Sequence, residues 1–196
     1  MVSYLSMPGL MSTYHRVDQI GCGRLGSVYR AQYTTTSNSA PQHVVVKVFD
    51  NCRLDDSMKT DRSHCDLVVE HLRHRDLAAF MHPNIVRVIG YFYTEATFSG
   101  MHLNIVSEFV PDNLGDCFRS NNAATSSPCE GGCMGFSRFF SVFVGVAEGL
   151  SFLHNRGVWH GNLKPSNILI SESHGVPSAM ICDLSFAPGK ASAMSQ

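Results

Sequence analysis

The sequence lacks the features that would assign the protein to a membrane, to nucleic acid or to secretion. None of its apolar runs approaches the roughly 18 residues that a transmembrane helix requires. Its formal net charge of −1 gives no basic excess of the kind that binds nucleic acid or an acidic membrane surface. The N-terminus has neither the basic start nor the apolar stretch of a secretory signal. We therefore expect neither a nucleic-acid partner nor a membrane partner.

Cysteine occurs without the regular spacing of a disulfide-rich protein. There are seven cysteines, an odd number, and they are scattered along the chain. Cys129 and Cys133 form a close pair, but no second ligand pair at a matching spacing accompanies them, so a zinc site is not expected. This usage is typical of a reducing compartment and predicts a cytoplasmic protein.

The chain of 196 residues is long enough to bury a sizeable core, and its hydrophobic content of 44% is ordinary for a globular protein. Apolar periodicity predicts a glycine-containing hairpin, three further strands and two helices. The predicted elements are the hairpin 17–33, the strands 44–49, 85–92 and 103–110, and the helices 67–81 and 137–154. A polar, low-complexity stretch at 121–135 is expected to be a disordered insertion between helices.

Three glycines, Gly21, Gly23 and Gly26, lie in the predicted hairpin. A dinucleotide-binding loop with the same glycine spacing would open a helix, whereas a β-type sequence, residues 27–31, follows here. Lys47 then lies in the next strand. A strand, glycine turn and strand allow backbone N–H groups to approach phosphate, and a lysine on the adjacent strand supplies a positive charge. The pattern therefore favours a phosphate-binding hairpin over a dinucleotide-binding loop.

A third stretch, residues 160–167, reads His-Gly-Asn-Leu-Lys-Pro-Ser-Asn. Together the three stretches resemble the ATP-handling part of a eukaryotic protein kinase. The resemblance implies an α+β fold, with an antiparallel β N-lobe that contains one main helix and an incomplete, mainly helical C-lobe. The implied divisions are an N-terminal lead at 1–13, the N-lobe and hinge at 14–110, and a partial C-lobe at 111–196. The implied cofactors are ATP and Mg²⁺.

The resemblance assigns nucleotide-binding roles to single positions in this sequence. The glycines correspond to the loop over the phosphates, and Lys47 to the lysine that reaches the α- and β-phosphates. Ser107 falls at the gatekeeper position, and the backbones of Glu108 and Val110 would face the polar edge of adenine. The implied ATP-binding residues are Gly21, Gly23, Gly26, Val28, Val45, Lys47, Glu70, Ser107, Glu108, Val110 and Leu169.

The glutamate that orients the strand lysine in the family has two alternatives here. Counted back from His82, Arg73 lands where the glutamate belongs, and an arginine would repel Lys47. Glu70 lies three residues earlier on the same helix face, about one turn away. Either Glu70 takes the role through a shifted helix, or the ion pair is absent.

The third stretch resembles the catalytic loop. Lys164 would neutralise charge on the transferred phosphoryl group, while Asn167 and Asp183 would bind magnesium, with 171–178 as a loop between them. The catalytic aspartate of the family is replaced by Asn162, whose amide oxygen is a much weaker base. The arginine before it is replaced by Gly161. Both changes resemble the pseudokinase pattern.

Three hypotheses for function follow from these residues. The first is an ATP- and magnesium-binding domain with impaired catalysis, acting as a scaffold or allosteric partner. The second is a protein Ser/Thr kinase, or a fragment of one, with residual phosphotransfer, because Lys164-Pro165-Ser166-Asn167 resembles the Ser/Thr-type loop. The third is an unstable truncated product, because the chain ends thirteen residues after Asp183. The missing lower lobe would leave the helix 137–154, which is apolar on nearly all sides, as a face for a protein partner.

Overall fold

The computed structural model describes residues 3–4, 13–23, 26–34, 41–49, 81–95, 101–120, 136–173, 176–184 and 187–188. The chain forms two compact units. The first unit comprises residues 1–79 and 87–109, and the second comprises residues 80–86 and 110–196. The predicted helix 67–81, apart from its last residue, and the predicted insertion 121–135 lie outside the described residues.

The first unit is built on a six-stranded antiparallel sheet with the order β1-β2-β3-β4-β6-β5. Its strands are β1 Ser3–Tyr4, β2 Thr13–Gly23, β3 Gly26–Thr34, β4 Gln42–Phe49, β5 Val88–Glu95 and β6 Met101–Glu108. Residues rich in valine, tyrosine and phenylalanine form these strands, as β-branched and aromatic side chains favour. The predicted hairpin 17–33 and the predicted strand 44–49 are confirmed as β2–β3 and β4.

One face of this sheet carries the core of the first unit. Val44, Val46 and Val48 are buried, while the residues between them are only partly buried, as the two-residue period of a strand requires. The buried valines belong to a cluster that includes Tyr14 and Phe92, whose rings stack with centroids 5.8 Å apart. The other face of β4 therefore carries Val45 and Lys47.

The second unit contains two small antiparallel sheets and two α-helices among its described residues. The elements are β7 Asp112–Asn113, α1 Leu114–Ser120, α2 Phe136–His154, β8 Val158–Trp159, the 3₁₀ helix Pro165–Asn167, β9 Ile168–Ser173, β10 Val176–Ile181 and β11 Ala187–Pro188. The sheets have the orders β10-β9-β7 and β11-β8. The predicted α+β fold is confirmed.

Helix α2 confirms the predicted helix 137–154 and begins one residue earlier. It ends at His154, and Gly157 follows with a φ of 70° and an N–H that donates to the His154 carbonyl at 2.9 Å. A glycine in this left-handed conformation is a common helix stop. One side of the helix joins the core of the second unit through Val142, which clusters with Leu114, Ile168 and Ala179. On the other side, Phe139, Phe140, Phe143 and Val144 are between 37% and 63% exposed.

Two sequence-based boundaries were wrong. The predicted strand 85–92 begins only at Val88, because Ile85 instead forms a parallel bridge with Ile181 in the second unit. The predicted loop 171–178 is mostly strand, with Ser171 paired to Ser178 in the β9–β10 hairpin. The spacing between Asn167 and Asp183 suggested the loop, but β10 is an edge strand, where polar residues and a proline are tolerated.

Candidate functional site

The glycine hairpin of the first unit joins β2 to β3. Gly21 pairs with Val28, and Gly23 pairs with Gly26 at the last register position before the turn. Gly26 has a φ of 144°, and a Cβ at this position would collide with the carbonyl oxygen of Val48 on β4. At Gly21 the same atom would make ordinary contact with Val28, 3.6 Å from its Cβ. Glycine is therefore required at position 26 by the close approach of the β3 and β4 backbones, independently of any ligand.

Four of the predicted nucleotide-binding residues share one face of the sheet. In the register of β3, β4 and β6, Lys47 is flanked by Val28 and Ile105, and Val45 is flanked by Arg30 and Ser107. Because neighbours in register lie on the same face, Val28, Val45, Lys47 and Ser107 lie together there. All four are partly buried, which leaves part of each side chain accessible.

The ammonium group of Lys47 lies 4.9 Å from the centroid of the Phe49 ring, two residues along the same strand face. This distance allows a cation–π interaction. Glu70 and Arg73, the two alternatives for the residue that orients Lys47, lie outside the described residues. The pairing of Glu70 with Lys47 therefore stays a prediction.

Glu108 ends β6, and its side chain and backbone both contact Arg87. The carboxylate accepts the Arg87 N–H at 2.7 Å, and the Glu108 N–H donates to the Arg87 carbonyl at 3.1 Å. Any backbone contact from Glu108 to a ligand would therefore come from its carbonyl oxygen. Val110, the other predicted hinge contact, is the first residue of the second unit after this point and is partly buried.

In the second unit, His160 connects the loop 160–167 to the segment that carries Asp183. The ring is 3% exposed. Its Nδ1 accepts the backbone N–H of Asn162 at 3.2 Å, and Nε2 lies 2.8 Å from the carbonyl oxygen of Cys182. Because Nδ1 is an acceptor in a neutral ring, Nε2 carries the proton and donates to Cys182. The Cys182 N–H also donates to the Asn167 carbonyl at 3.0 Å, which joins the two segments a second time.

Asn162, Asn167 and Asp183 form one hydrogen-bonded group, which we call the Asp183 network. The Asn162 side-chain amide donates to Asp183 Oδ2 at 3.0 Å, and the Asn167 amide donates to the same oxygen at 3.3 Å. The Asn167 amide also donates to the backbone carbonyl of Asn162 at 2.8 Å. Asp183 has a φ of 63°, a conformation that few residues other than glycine, asparagine and aspartate adopt. The structure thus brings together the three residues that the sequence placed in the catalytic loop and at the metal site.

The remaining predicted residues of the second unit flank this network. Lys164 is exposed, and it precedes the short 3₁₀ helix that contains Asn167. Leu169 lies in β9, partly buried, with Met180 and Asn113 as its register partners. Gly161 has a φ of 71°, a left-handed conformation that an arginine at this position would adopt only with strain.

Sequence reasoning missed the role of Asn84, which supports the segment carrying Asp183. Asn84 is 5% exposed, and its side-chain amide donates to the Ala179 carbonyl at 2.8 Å. Its carbonyl accepts the Ile181 N–H at 2.8 Å, so Asn84 binds β10 two residues before Asp183. The motif His82-Pro83-Asn84 was the available signal, but it served only to set the register of the preceding helix.

The donor set around Asp183 consists of amide and carboxylate groups. Among the described residues, no group of three or more histidine, cysteine, aspartate and glutamate side chains is arranged to bind a metal ion. Within the same residues, no helix is long and apolar enough to cross a membrane. Cys129 and Cys133 lie outside the described residues.

Comparison with known proteins identifies the family. Residues 14–194 match the model of the protein kinase domain, so the chain belongs to the protein kinase family. It is 34% identical over 169 residues to the "Probable serine/threonine-protein kinase MRK1 homolog" of Encephalitozoon cuniculi, which covers 85% of this chain and 47% of that protein. It is 28% identical over 162 residues to "Cyclin-dependent kinase F-3" of Oryza sativa subsp. japonica, which covers 83% of this chain and 31% of that protein. The chain thus spans less than half the length of these relatives.

Proposed function

We propose that this kinase domain binds ATP and Mg²⁺ but transfers phosphate poorly, as a pseudokinase does. The observation that carries the proposal is the hydrogen bond from the Asn162 side-chain amide to Asp183. The position at which the family has a proton-accepting aspartate is here a neutral amide whose N–H₂ group points at a proposed magnesium ligand. Its chemistry is that of a donor to Asp183 and not that of a base for a substrate hydroxyl.

The proposal of nucleotide binding rests on the arrangement in the first unit. Val28, Val45, Lys47 and Ser107 share a partly accessible sheet face. Such a face offers an apolar surface for a base and a cation for phosphate. By family resemblance Val110, Leu169, the three hairpin glycines and Glu70 complete the ATP-binding set.

The residues proposed to bind magnesium fit that ion. Both N–H groups of the Asn167 amide are used, one for the Asn162 carbonyl and one for Asp183, so its Oδ1 is the atom left to coordinate a cation. Asp183 supplies a carboxylate. Oxygen donors from an amide and a carboxylate are the ligands that Mg²⁺ prefers. When bound, the ion would neutralise negative charge on the phosphates of ATP.

The proposed catalytic defect has a rough magnitude. General-base positions contribute about 10²–10⁴ to rate. Phosphoryl transfer depends more on positioning and electrostatics than on the base, so the loss from Asn162 need not be complete. Gly161 also removes the arginine that pairs with a phosphorylated activation segment in the family, and with it that form of regulation.

A slow Ser/Thr kinase is the second candidate. It is favoured by the presence of Lys47, Lys164, Asn167 and Asp183 and by the Ser/Thr kinase relatives. Under either function, the cytoplasmic location and a protein partner on the exposed side of α2 remain proposals.

The experiment that separates the two candidates is a phosphotransfer assay on a generic acceptor protein with the Asn162→Asp variant. We expect almost no transfer from the natural chain and a higher rate in the variant, by up to about 10²–10⁴, which is the contribution of a general base. An Asp183→Ala variant supplies the background. Slow but measurable transfer by the natural chain, abolished by Asp183→Ala, would favour the slow kinase over the pseudokinase.

A further inference from the structure

Asn162 is fixed by hydrogen bonds at three points although its side chain is exposed. Its N–H donates to His160 Nδ1 at 3.2 Å, and its carbonyl accepts the Asn167 amide at 2.8 Å. Its side-chain amide then donates to Asp183 Oδ2 at 3.0 Å. The first two bonds fix the backbone of Asn162, and the third directs its side-chain amide at Asp183.

We propose that Asn162 is a positioning residue that holds the Asp183 carboxylate in its metal-binding arrangement when no metal is bound. The inference deepens the proposed function, since the value of holding Asp183 depends on the magnesium site proposed above. Asn162 is then more than a lost base, because it supplies the donor that keeps this loop ordered without a cation.

The chemistry of the alternative side chain supports this role. An ionised aspartate has acceptors but no donor, so at position 162 it would place a carboxylate oxygen about 3.0 Å from Asp183 Oδ2. Two carboxylate groups at that distance repel each other unless a cation or a proton lies between them. The amide reverses this interaction, because its N–H is a donor to an ionised acceptor, a stronger arrangement than a neutral pair.

The backbone conformation of Asp183 explains why hydrogen bonds to this residue matter. A φ of 63° is uncommon for a residue other than glycine, so surrounding contacts must keep Asp183 there. The segment is secured by His160 and Asn167 at Cys182, one residue earlier. The Asp183 side chain is held by the two asparagine amides, and Asn162 is the one whose replacement by the family's aspartate would remove a donor.

Thermal melts in the presence of a chelator test the inference on the full chain. We expect Asn162→Ala to lower the melting temperature by about 2–4 °C, the shift typical of losing one such bond in a protein of this size. The same change on an Asp183→Ala background should have almost no effect, because the acceptor is already absent. An equal loss on both backgrounds would overturn the inference.

A second comparison needs no change at Asp183. Asn162→Asp should lower the metal-free melting temperature more than Asn162→Ala does, and added Mg²⁺ should restore more in this variant than in the natural chain. Asn155→Asp is the matched control, since Asn155 is exposed in the same unit and its replacement adds the same charge. A metal-free melting temperature of Asn162→Asp that equals or exceeds that of Asn155→Asp would contradict the inference.

The two proposals fail in different ways. If the metal-free comparisons succeed but Mg²⁺ shifts no variant, the positioning role of Asn162 stands and the magnesium site of the proposed function is refuted. If Mg²⁺ shifts the natural chain and Asn162→Ala has no metal-free effect, the magnesium site stands and the positioning role is refuted.

Discussion

Two glycines of α2, Gly145 and Gly149, face Asn84, which binds β10. Replacing either with alanine should destabilise the protein, although alanine has the higher helix propensity. A Cβ at Gly149 would lie 2.8 Å from the Asn84 carbonyl oxygen and 2.9 Å from Cδ1 of Ile181. A Cβ at Gly145 would lie 2.6 Å from Nδ2 of Asn84. These distances are too short for van der Waals contact, so Asn84 or the helix would have to move.

The change in the free energy of unfolding has one stabilising and two destabilising contributions. Alanine in place of glycine stabilises a helix interior by about 1 kcal/mol. Overpacking a filled site costs about 1–3 kcal/mol, and weakening the buried bonds of Asn84 to Ala179 and Ile181 costs about 1–3 kcal/mol more. We therefore expect Gly149→Ala to lower the free energy of unfolding by about 1–5 kcal/mol.

Urea denaturation followed by circular dichroism measures this free energy. Ser151→Ala is the matched control, because Ser151 is exposed and lies two residues further along the same helix. This change should raise the free energy of unfolding by only a few tenths of a kcal/mol. Gly145→Ala should cost less on an Asn84→Ala background, where the colliding amide is gone. A Gly149→Ala protein as stable as the natural chain would refute the packing argument.

Two further predictions concern the first unit, and both are measured as urea midpoints. Gly26→Ala should destabilise the protein by about 3 kcal/mol or more, because the left-handed φ and the collision with the Val48 carbonyl both oppose a side chain. Gly21→Ala, with ordinary contact distances, should change stability little, and equal losses at the two glycines would contradict this assignment. Asn104 is fully buried and its amide donates to Thr94 Oγ1 and the His102 carbonyl, both at 3.0 Å. Asn104→Ala should cost about 1–3 kcal/mol by leaving partly buried acceptors without a donor. A loss no larger than that of the exposed Asn155→Ala would contradict this.

Local sequence patterns were sufficient for the elements that depend on local chemistry. The glycines and β-branched residues of 17–33 and 44–49 predicted the hairpin and the following strand. The apolar repeat of 137–154 predicted α2. For the site, the motif at 160–167 was enough to select Asn162 and Asn167, and Asp183 was selected by its spacing from Asn167.

Long-range packing was not predictable in the same way. Asn84 contacts Ala179 across 95 residues of sequence, and no local pattern indicates that pairing. Likewise, Ile85 bridges to Ile181, so the next strand begins at Val88 and not at the predicted residue 85. The hydrogen bond from Asn162 to Asp183 required the fold as well, because sequence identified the exchanged residue but not the acceptor toward which its amide points.

The most direct test of the proposed function measures ATP binding and phosphate transfer on one preparation of the full chain. Calorimetric titration with Mg²⁺ and ATP should give saturable binding, and ATP at about 100 times its dissociation constant should add roughly 2.7 kcal/mol of stability. Lys47→Met should abolish this binding, whereas Arg138→Met, which removes an exposed cation paired with Glu172, should not. We predict that the chain binds ATP with almost no transfer of phosphate. Absence of binding, or transfer at an ordinary kinase rate that Asp183→Ala abolishes, would contradict it.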